Sequence, residues 1–166
     1  PVGFDPQDSC VVVLDCEPER TGSIAGGVLK ARCIINIDHH ERGRGLGKLV
    51  YVNSGEAATC VIIYRILLAL GIVLDLEIAT VLYGGIIGDT GNFRHANTTG
   101  EVFLIAAELL KYGVQPAPLS REIFSSQPYQ FMKLLGYALT KLQRTEDGRL
   151  VWLALSQQEF RDFNID

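Results

Sequence analysis

Residues 33–43 read CIINIDHHERG: an apolar run, Cys33 to Ile37, that stops abruptly at Asp38, His39 and His40. The chain has 3 histidines in 166 residues, and two of them stand side by side here. The third, His95, closes another polar stretch, GDTGNFRH at 88–95. A short continuous apolar run rich in β-branched residues reads as a strand buried on both faces. The same design stands upstream in SCVVVLD at 9–15, which ends in Asp15, and KLVYVN at 48–53 offers a third strand. Between the first two lies PERTGSIAGGVLKA at 18–31, a glycine-bearing short helix or loop. Buried strands joined by a crossover predict a parallel sheet in an α/β domain.

Helices follow. Asn53 or Ser54 is placed to cap a helix over 55–70 that Gly71 stops. Asp75 is placed to cap a second over 76–87, and Thr98 with Glu101 forms a capping-box pattern before VFLIAAELLKY, which Gly113 ends. After VQPAPLS at 114–120 come a short helix near Glu122 and a longer one from Tyr129 to Gln143. In TEDGRLVWLALSQQEF at 145–160, Asp147-Gly148 signals a turn, RLVWLAL a strand, and Ser156 with Glu159 a new helix cap. The expected organisation is one α/β domain over 1–145, then over 146–166 a linker and the first strand of a second α/β domain. Entering a strand soon after Pro1 and ending as a new unit opens, the chain reads as a piece of a longer protein.

The composition, 48% hydrophobic and 20% charged, is that of a folded globular protein. A net charge of −4 argues against a broad electrostatic grip on long duplex nucleic acid, though not against a small phosphorylated ligand held by local charges and a metal. No run reaches the roughly 18–20 apolar residues of a membrane span; the longest, TCVIIYRILLALGIVL at 59–74, is interrupted by Arg65 and Gly71. No basic leader precedes an apolar stretch, so no signal peptide is expected. Cys10, Cys16, Cys33 and Cys60 lack C-x-x-C spacing; reduced, half-buried thiols in a cytoplasmic protein are the plainer expectation.

In open α/β sheets ligands sit beyond the carboxyl ends of the strands. Asp15 ends the first strand, Asp38-His39-His40 ends the second, and Asp89 follows the 76–87 helix in YGGIIGDTG. Three polar clusters thus converge on one rim, and imidazole with carboxylate suits a divalent Mn, Fe, Co or Zn ion. Along extended backbone successive side chains point to opposite sides, so His39 and His40 are expected to divide the work. One would bind metal and the other face substrate, with Asp38 orienting an imidazole. A lone acid at a strand end is ordinarily a cap, and a lone GDTG a tight turn; the doubled histidine is harder to explain by packing. GRGLGK at 43–48 fails the Walker A spacing and reads as a flexible loop, with Arg42, Arg44 or Lys48 near a phosphate. Arg94 is better placed, five residues past Asp89, to grip phosphate with its planar fork.

Together these residues resemble the DHH phosphoesterase superfamily, whose name is the triplet at 38–40. VVVLDC matches its second motif, NIDHH its third and GIIGDTGNFRHANTT its fourth. The GDTG-x-F-R form is similar to the branch of bifunctional oligoribonucleases (nano-RNases) that also dephosphorylate 3'-phosphoadenosine-5'-phosphate (pAp). GRLVWLALSQQEF resembles the opening of the associated DHHA1 domain.

The resemblance implies a parallel-sheet DHH domain with several helices that hydrolyses short oligoribonucleotides and pAp. It implies two metal ions, usually Mn2+, with Mg2+ or Co2+ as substitutes. Asp15 would bridge the two ions, and His39 and Asp89 would ligate the second. His40 would contact the scissile phosphate or protonate the leaving oxygen, with Asp38 counted beside it among the catalytic residues, and Arg94 and His95 would bind substrate. Hydroxide between the metals would attack in line, with both ions neutralising phosphoryl charge. The sequence departs from the pattern in two places: the His and Asp-x-Asp of the first motif, and the glycine-histidine motif of the C-terminal domain, are not in it. A non-catalytic nucleotide-binding DHH fragment is therefore the rival expectation. Within the superfamily a cyclic-dinucleotide phosphodiesterase, an exopolyphosphatase or a pyrophosphatase stays open, as does a homodimer. A RecJ-like exonuclease fits the fourth motif less well, and a Rossmann-type binder lacks G-x-G-x-x-G.

Overall fold

A computed structural model describes residues 5–41 and 46–165. They form two compact units, Pro1–Ser120 and Arg121–Asp166. The first is built on three parallel strands in the order β1 (Cys10–Leu14), β2 (Cys33–Asp38), β3 (Leu49–Val52). Their register sets Leu14 beside Ile37 and Asp38 beside Val52, so the carboxyl ends line up on one rim. The expected parallel α/β sheet is present. The β1–β2 crossover is short: two 3-10 turns, Pro18–Arg20 and Gly22–Ile24, lead into a single helical turn, α1 (Ala25–Val28).

Burial on both faces does not hold for every strand. Val13 and Ile37 are buried, but Val12 and Leu14 of β1 and all four residues of β3 are exposed. The helices explain this. α2 (Thr59–Ala69) packs on β2, α3 (Leu76–Asp89) packs on α2, and α4 (Gly100–Leu110) packs on α3. They succeed one another outwards rather than covering both faces, and the densest core lies between them, with Val61, Ile62, Ile86, Ile87 and Leu109 almost wholly buried. Gly85 lets α2 and α3 approach, because a Cβ there would stand 2.1 Å from Cys60 Sγ.

Three helix boundaries differ from expectation, and each difference bears on the rim. α2 starts at Thr59, and its N-cap, Ala58, has no capping side chain. Asn53 instead closes a local turn, accepting the Gly55 N–H (3.1 Å) and donating to Glu56 (3.2 Å). α3 is capped by Asp75 as expected, its carboxylate accepting the Ile78 N–H at 2.8 Å, but it runs past Ile87 to Asp89. Asp89 therefore sits on a helical turn instead of in a free loop. α4 is capped by Thr99, one residue past Thr98, and Glu101 reaches Arg65 at 2.6 Å instead of closing a capping box. Arg42 and Arg44 lie outside the described residues, as does the first half of the expected 43–48 loop, residues 43–45.

α5 (Pro116–Phe124) spans the boundary between the units. The second unit holds α6 (Tyr129–Thr140), an antiparallel pair β4 (Gln143–Arg144) and β5 (Val151–Trp152), and α7 (Gln157–Asp162). The strand expected over RLVWLAL is cut to two residues because β4 offers only two to pair with. The Ser156–Glu159 capping box forms as expected. Among the described residues, no helix is long and apolar enough to cross a membrane. All four cysteines are free thiols.

Candidate metal and phosphate site

The carboxyl ends of β1 and β2 and the last turn of α3 bring Asp15, Asp38, His39, His40 and Asp89 together. Asp38 ends β2 and is buried, yet it is ionised in a crowd of donors. Its Oδ1 accepts the His39 N–H (2.7 Å), the His40 N–H (3.1 Å) and His40 Nδ1 (2.7 Å). Burial opposes that charge, but the His40 N–H, the His40 ring and the His39 N–H together hold the carboxyl below its usual range. In return the Asp38 hydrogen bond raises the His40 pKa against the opposing cost of burial.

The same hydrogen bonds overturn the expected divergence of the two histidines. The strand ends at Asp38, whose carboxylate gathers the next two N–H groups. The His39 and His40 rings lie side by side, their centroids 4.4 Å apart. Asp38 orients His40 only. His39 is held from elsewhere, its Nδ1 donating to the Glu56 carbonyl at 3.2 Å.

The other ring nitrogen of His39, Nε2, is buried and without a hydrogen-bond partner. Facing it are Asp15 Oδ1 at 3.6 Å and Asp89 Oδ2 at 3.7 Å. Burial raises the Asp89 pKa, and the nearby Asp15 charge raises it further. Two carboxylates converge on a buried imidazole nitrogen whose ring is fixed by a carbonyl, a set of donors that could hold a divalent cation. The donor set fits such an ion. Asp15, His39 and His40 also bring one donor atom each within 4.8 Å of one another, with His40 Nδ1 held by Asp38.

Each of these side chains is braced. Asp15 has a left-handed backbone (φ 63°) and accepts the Thr59 hydroxyl, from the first turn of α2, at 2.6 Å. Asn36, buried in the middle of β2, donates to the carbonyls of Val13 (3.3 Å) and Cys16 (2.8 Å) and so ties down the turn after Asp15. Glu56, whose carbonyl holds His39, is itself paired to Arg65. Asn97 bridges the carbonyls of Ala57 (2.9 Å) and Asp89 (3.2 Å).

The GDTGNFRH stretch forms a strained knot after α3. Gly91, Asn92 and Phe93 all have positive φ (55°, 60° and 64°), a costly run for residues other than glycine. Buried Thr90 holds it together: its hydroxyl receives the Phe93 N–H and its carbonyl the N–H groups of Arg94 and His95. His95 lies against Gly91, where a Cβ would come within 2.3 Å of its Nε2, and its Nδ1 meets the Asp89 carbonyl at 3.1 Å. Arg94 is exposed, its Nε tied to the Gly91 carbonyl at 2.8 Å. A cleft of about 250 Å³ adjoins the cluster, lined by Asp15, Cys16, Glu17, Arg20, Asp38 and His40.

Sequence reasoning thus reached Asp15, Asp38, His39, His40 and Asp89, which the fold assembles, and His95 beside them. It passed over Arg20, Asn36, Glu56, Thr59 and Thr90. Only Asn36 carried a visible signal, an amide inside an apolar strand.

No protein-family model matches the chain. It is 40% identical over 152 residues to a Thermus thermophilus protein named bifunctional oligoribonuclease and PAP phosphatase NrnA, covering 91% of this chain and 45% of that protein. It is 36% identical over 137 residues to a Streptococcus mutans protein named probable bifunctional oligoribonuclease and PAP phosphatase NrnA, covering 82% of this chain and 44% of that one. The solved structure of an exopolyphosphatase-related protein from Bacteroides fragilis superposes with a TM-score of 0.84 at 22% identity, over 95% of this chain and 47% of the other. That likeness speaks for the fold alone. The chain spans about half the length of the curated relatives it matches. Across the residues it spans, the chain resembles the DHH-type proteins named bifunctional oligoribonuclease and PAP phosphatase.

Proposed function

We propose that this chain is the DHH portion of a Mn2+-dependent phosphoesterase acting on short oligoribonucleotides and pAp. The observation that carries the reading is His39 Nε2, buried and unpartnered between Asp15 and Asp89. The relatives named as oligoribonuclease and PAP phosphatase supply the substrate class. Asp15, His39 and Asp89 would hold a cation, with Mg2+ or Co2+ as substitutes; the second ion of a two-metal site would share Asp15. When bound, such ions neutralise phosphoryl charge and lower the pKa of water.

The chain's own residues do the rest. Asp38 fixes His40 with Nδ1 inward, so that the exposed Nε2 edge is presented to the scissile phosphate or the leaving oxygen. Glu56 and Thr59 hold His39 and Asp15 so that neither need reorganise when substrate arrives. Arg94 and His95, on the knot after α3, bind substrate phosphate.

The test is release of phosphate from pAp and of mononucleotide from a 5'-phosphorylated diribonucleotide in Mn2+. It is run on this chain and on the longest protein containing it, with Asp89→Ala as control. Release that disappears in the variant is expected. Release that survives Asp89→Ala would place the chemistry elsewhere. Metal-dependent pAp binding without turnover in either protein would make the chain a nucleotide-binding module instead.

A further inference from the structure

We propose that Arg20 is a specificity-determining residue that binds the substrate phosphate next to the scissile one; this rests on the phosphoesterase reading above. Arg20 ends the 3-10 turn Pro18–Arg20 and is exposed on the wall of the cleft beside the metal-ligand cluster. The cleft shares Asp15 with that cluster but is not lined by His39 or Asp89. It therefore adjoins the cation site instead of containing it. A substrate with its reacting phosphate at His39, Asp15 and Asp89 extends past His40 into this space, where its next phosphate meets Arg20.

The charges on the wall fit that use. Asp38 is matched by His40, and Asp15 faces His39, so neither competes for Arg20. Among the described residues no carboxylate forms an ion pair with Arg20; Glu17 is the remaining acid on the wall. A guanidinium left open beside a phosphate-handling histidine offers a planar, charge-assisted fork for a second phosphate.

The turn that carries Arg20 is also built to stay in place. Pro18 is fully buried, the Thr21 hydroxyl donates to the Pro18 carbonyl at 2.8 Å, and α1 packs against the turn. The buried Asn36 amide spends its donors on Val13 and Cys16, immediately before the turn. With the Asn36 amide buried and fully hydrogen-bonded, the turn presents Arg20 to the cleft from a fixed position.

pAp carries two phosphates and 5'-AMP one, so the pair isolates the second contact. Equilibrium binding of each to the protein in Mn2+ is measured for wild type, Arg20→Ala and Arg20→Lys, with circular dichroism melts to check folding and turnover of pAp read alongside. Wild type is expected to prefer pAp. Arg20→Ala should weaken pAp by about tenfold or more while leaving 5'-AMP nearly unchanged, and Arg20→Lys should recover part of the loss. Equal weakening of both ligands, an unchanged pAp affinity, or no wild-type preference for pAp would each overturn the assignment. Selective pAp binding lost in Arg20→Ala without turnover would sink the hydrolase reading and leave Arg20 standing. Turnover with selectivity unchanged in Arg20→Ala would do the reverse.

Discussion

Two carboxylates in this chain gather donors in the same way and to opposite ends. In the second unit, Glu159 accepts from the Ser156 N–H (2.6 Å) and hydroxyl (2.9 Å), Tyr137 Oη (2.6 Å) and Lys141 Nζ (2.6 Å). Lys141, the Ser156 N–H and Tyr137 together hold its carboxyl down at about 2. Every member of that set is satisfied by another member, so it works as a joint between α6 and α7. On the rim of β2, Asp38 gathers donors just as densely, but its network stops at open atoms: the outward edge of His40 and, beside it, the orphaned Nε2 of His39. A closed network stabilises a fold. An open one, held rigid by its closed part, is poised for a ligand.

The contrast is sharpest at His39. His39→Ala removes the orphaned nitrogen and leaves the helical core untouched. Loss of an outer-shell partner alone costs about 10–100-fold in metal affinity or activity, so this variant should lose more than about a hundredfold in Mn2+ affinity and in pAp turnover. Mn2+ titration beside a thermal melt reads it. Metal binding at wild-type strength would break the comparison at once.

Asp38→Asn keeps the shape but exchanges the carboxylate for an amide, so His40 loses its anionic partner. Turnover should fall by about 10–100-fold, less than for His39→Ala, while Mn2+ affinity changes little because Asp38 touches no proposed ligand atom. An equal loss of metal binding would show that Asp38 supports His39 as well as His40.

Gly91→Ala probes the strained knot. Its φ of +55° and the 2.3 Å clash with His95 should destabilise the chain by about 1–2 kcal/mol and displace the His95 ring. The check is a denaturant melt paired with the KM for pAp: a normal melt with a normal KM would mean that the His95 position is dispensable.

The closed network should give the smallest effect on activity. Glu159→Gln is expected to leave turnover within about twofold of wild type while loosening the second unit. The folded-state pKa of Glu159 lies below its ordinary value of 4.5, at about 2. Its contribution is thus complete above pH 4.5 and fades as pH falls towards 2. Acid titration of the Tyr137 environment, followed by fluorescence or NMR, should show the wild-type joint opening across that window and Glu159→Gln already open at pH 5. Identical titrations would mean that the joint is held by packing.

What could be read from residue order was whatever acts over a few residues. The strand runs ending in Asp15 and Asp38, the Asp75 cap and the Ser156–Glu159 box are short-range patterns, and each appears in the fold. The DHH triplet and the GDTG stretch marked the candidate ligands for the same reason. The caps of α2 and α4 were misplaced because competing partners decided them: Asn53 closed its own turn, and Glu101 went to Arg65. Only the tertiary structure could join Thr59 to Asp15 across 44 positions, Asn36 to Cys16 across 20, or the Glu56 carbonyl to His39 across 17. Those contacts form where separate elements meet, and no local pattern encodes them. The sequence by itself determined which side chains could bind metal and phosphate. The packing of α2 on β2 and of α3 on α2 decided that one imidazole nitrogen would be left buried, aimed and without a hydrogen-bond partner.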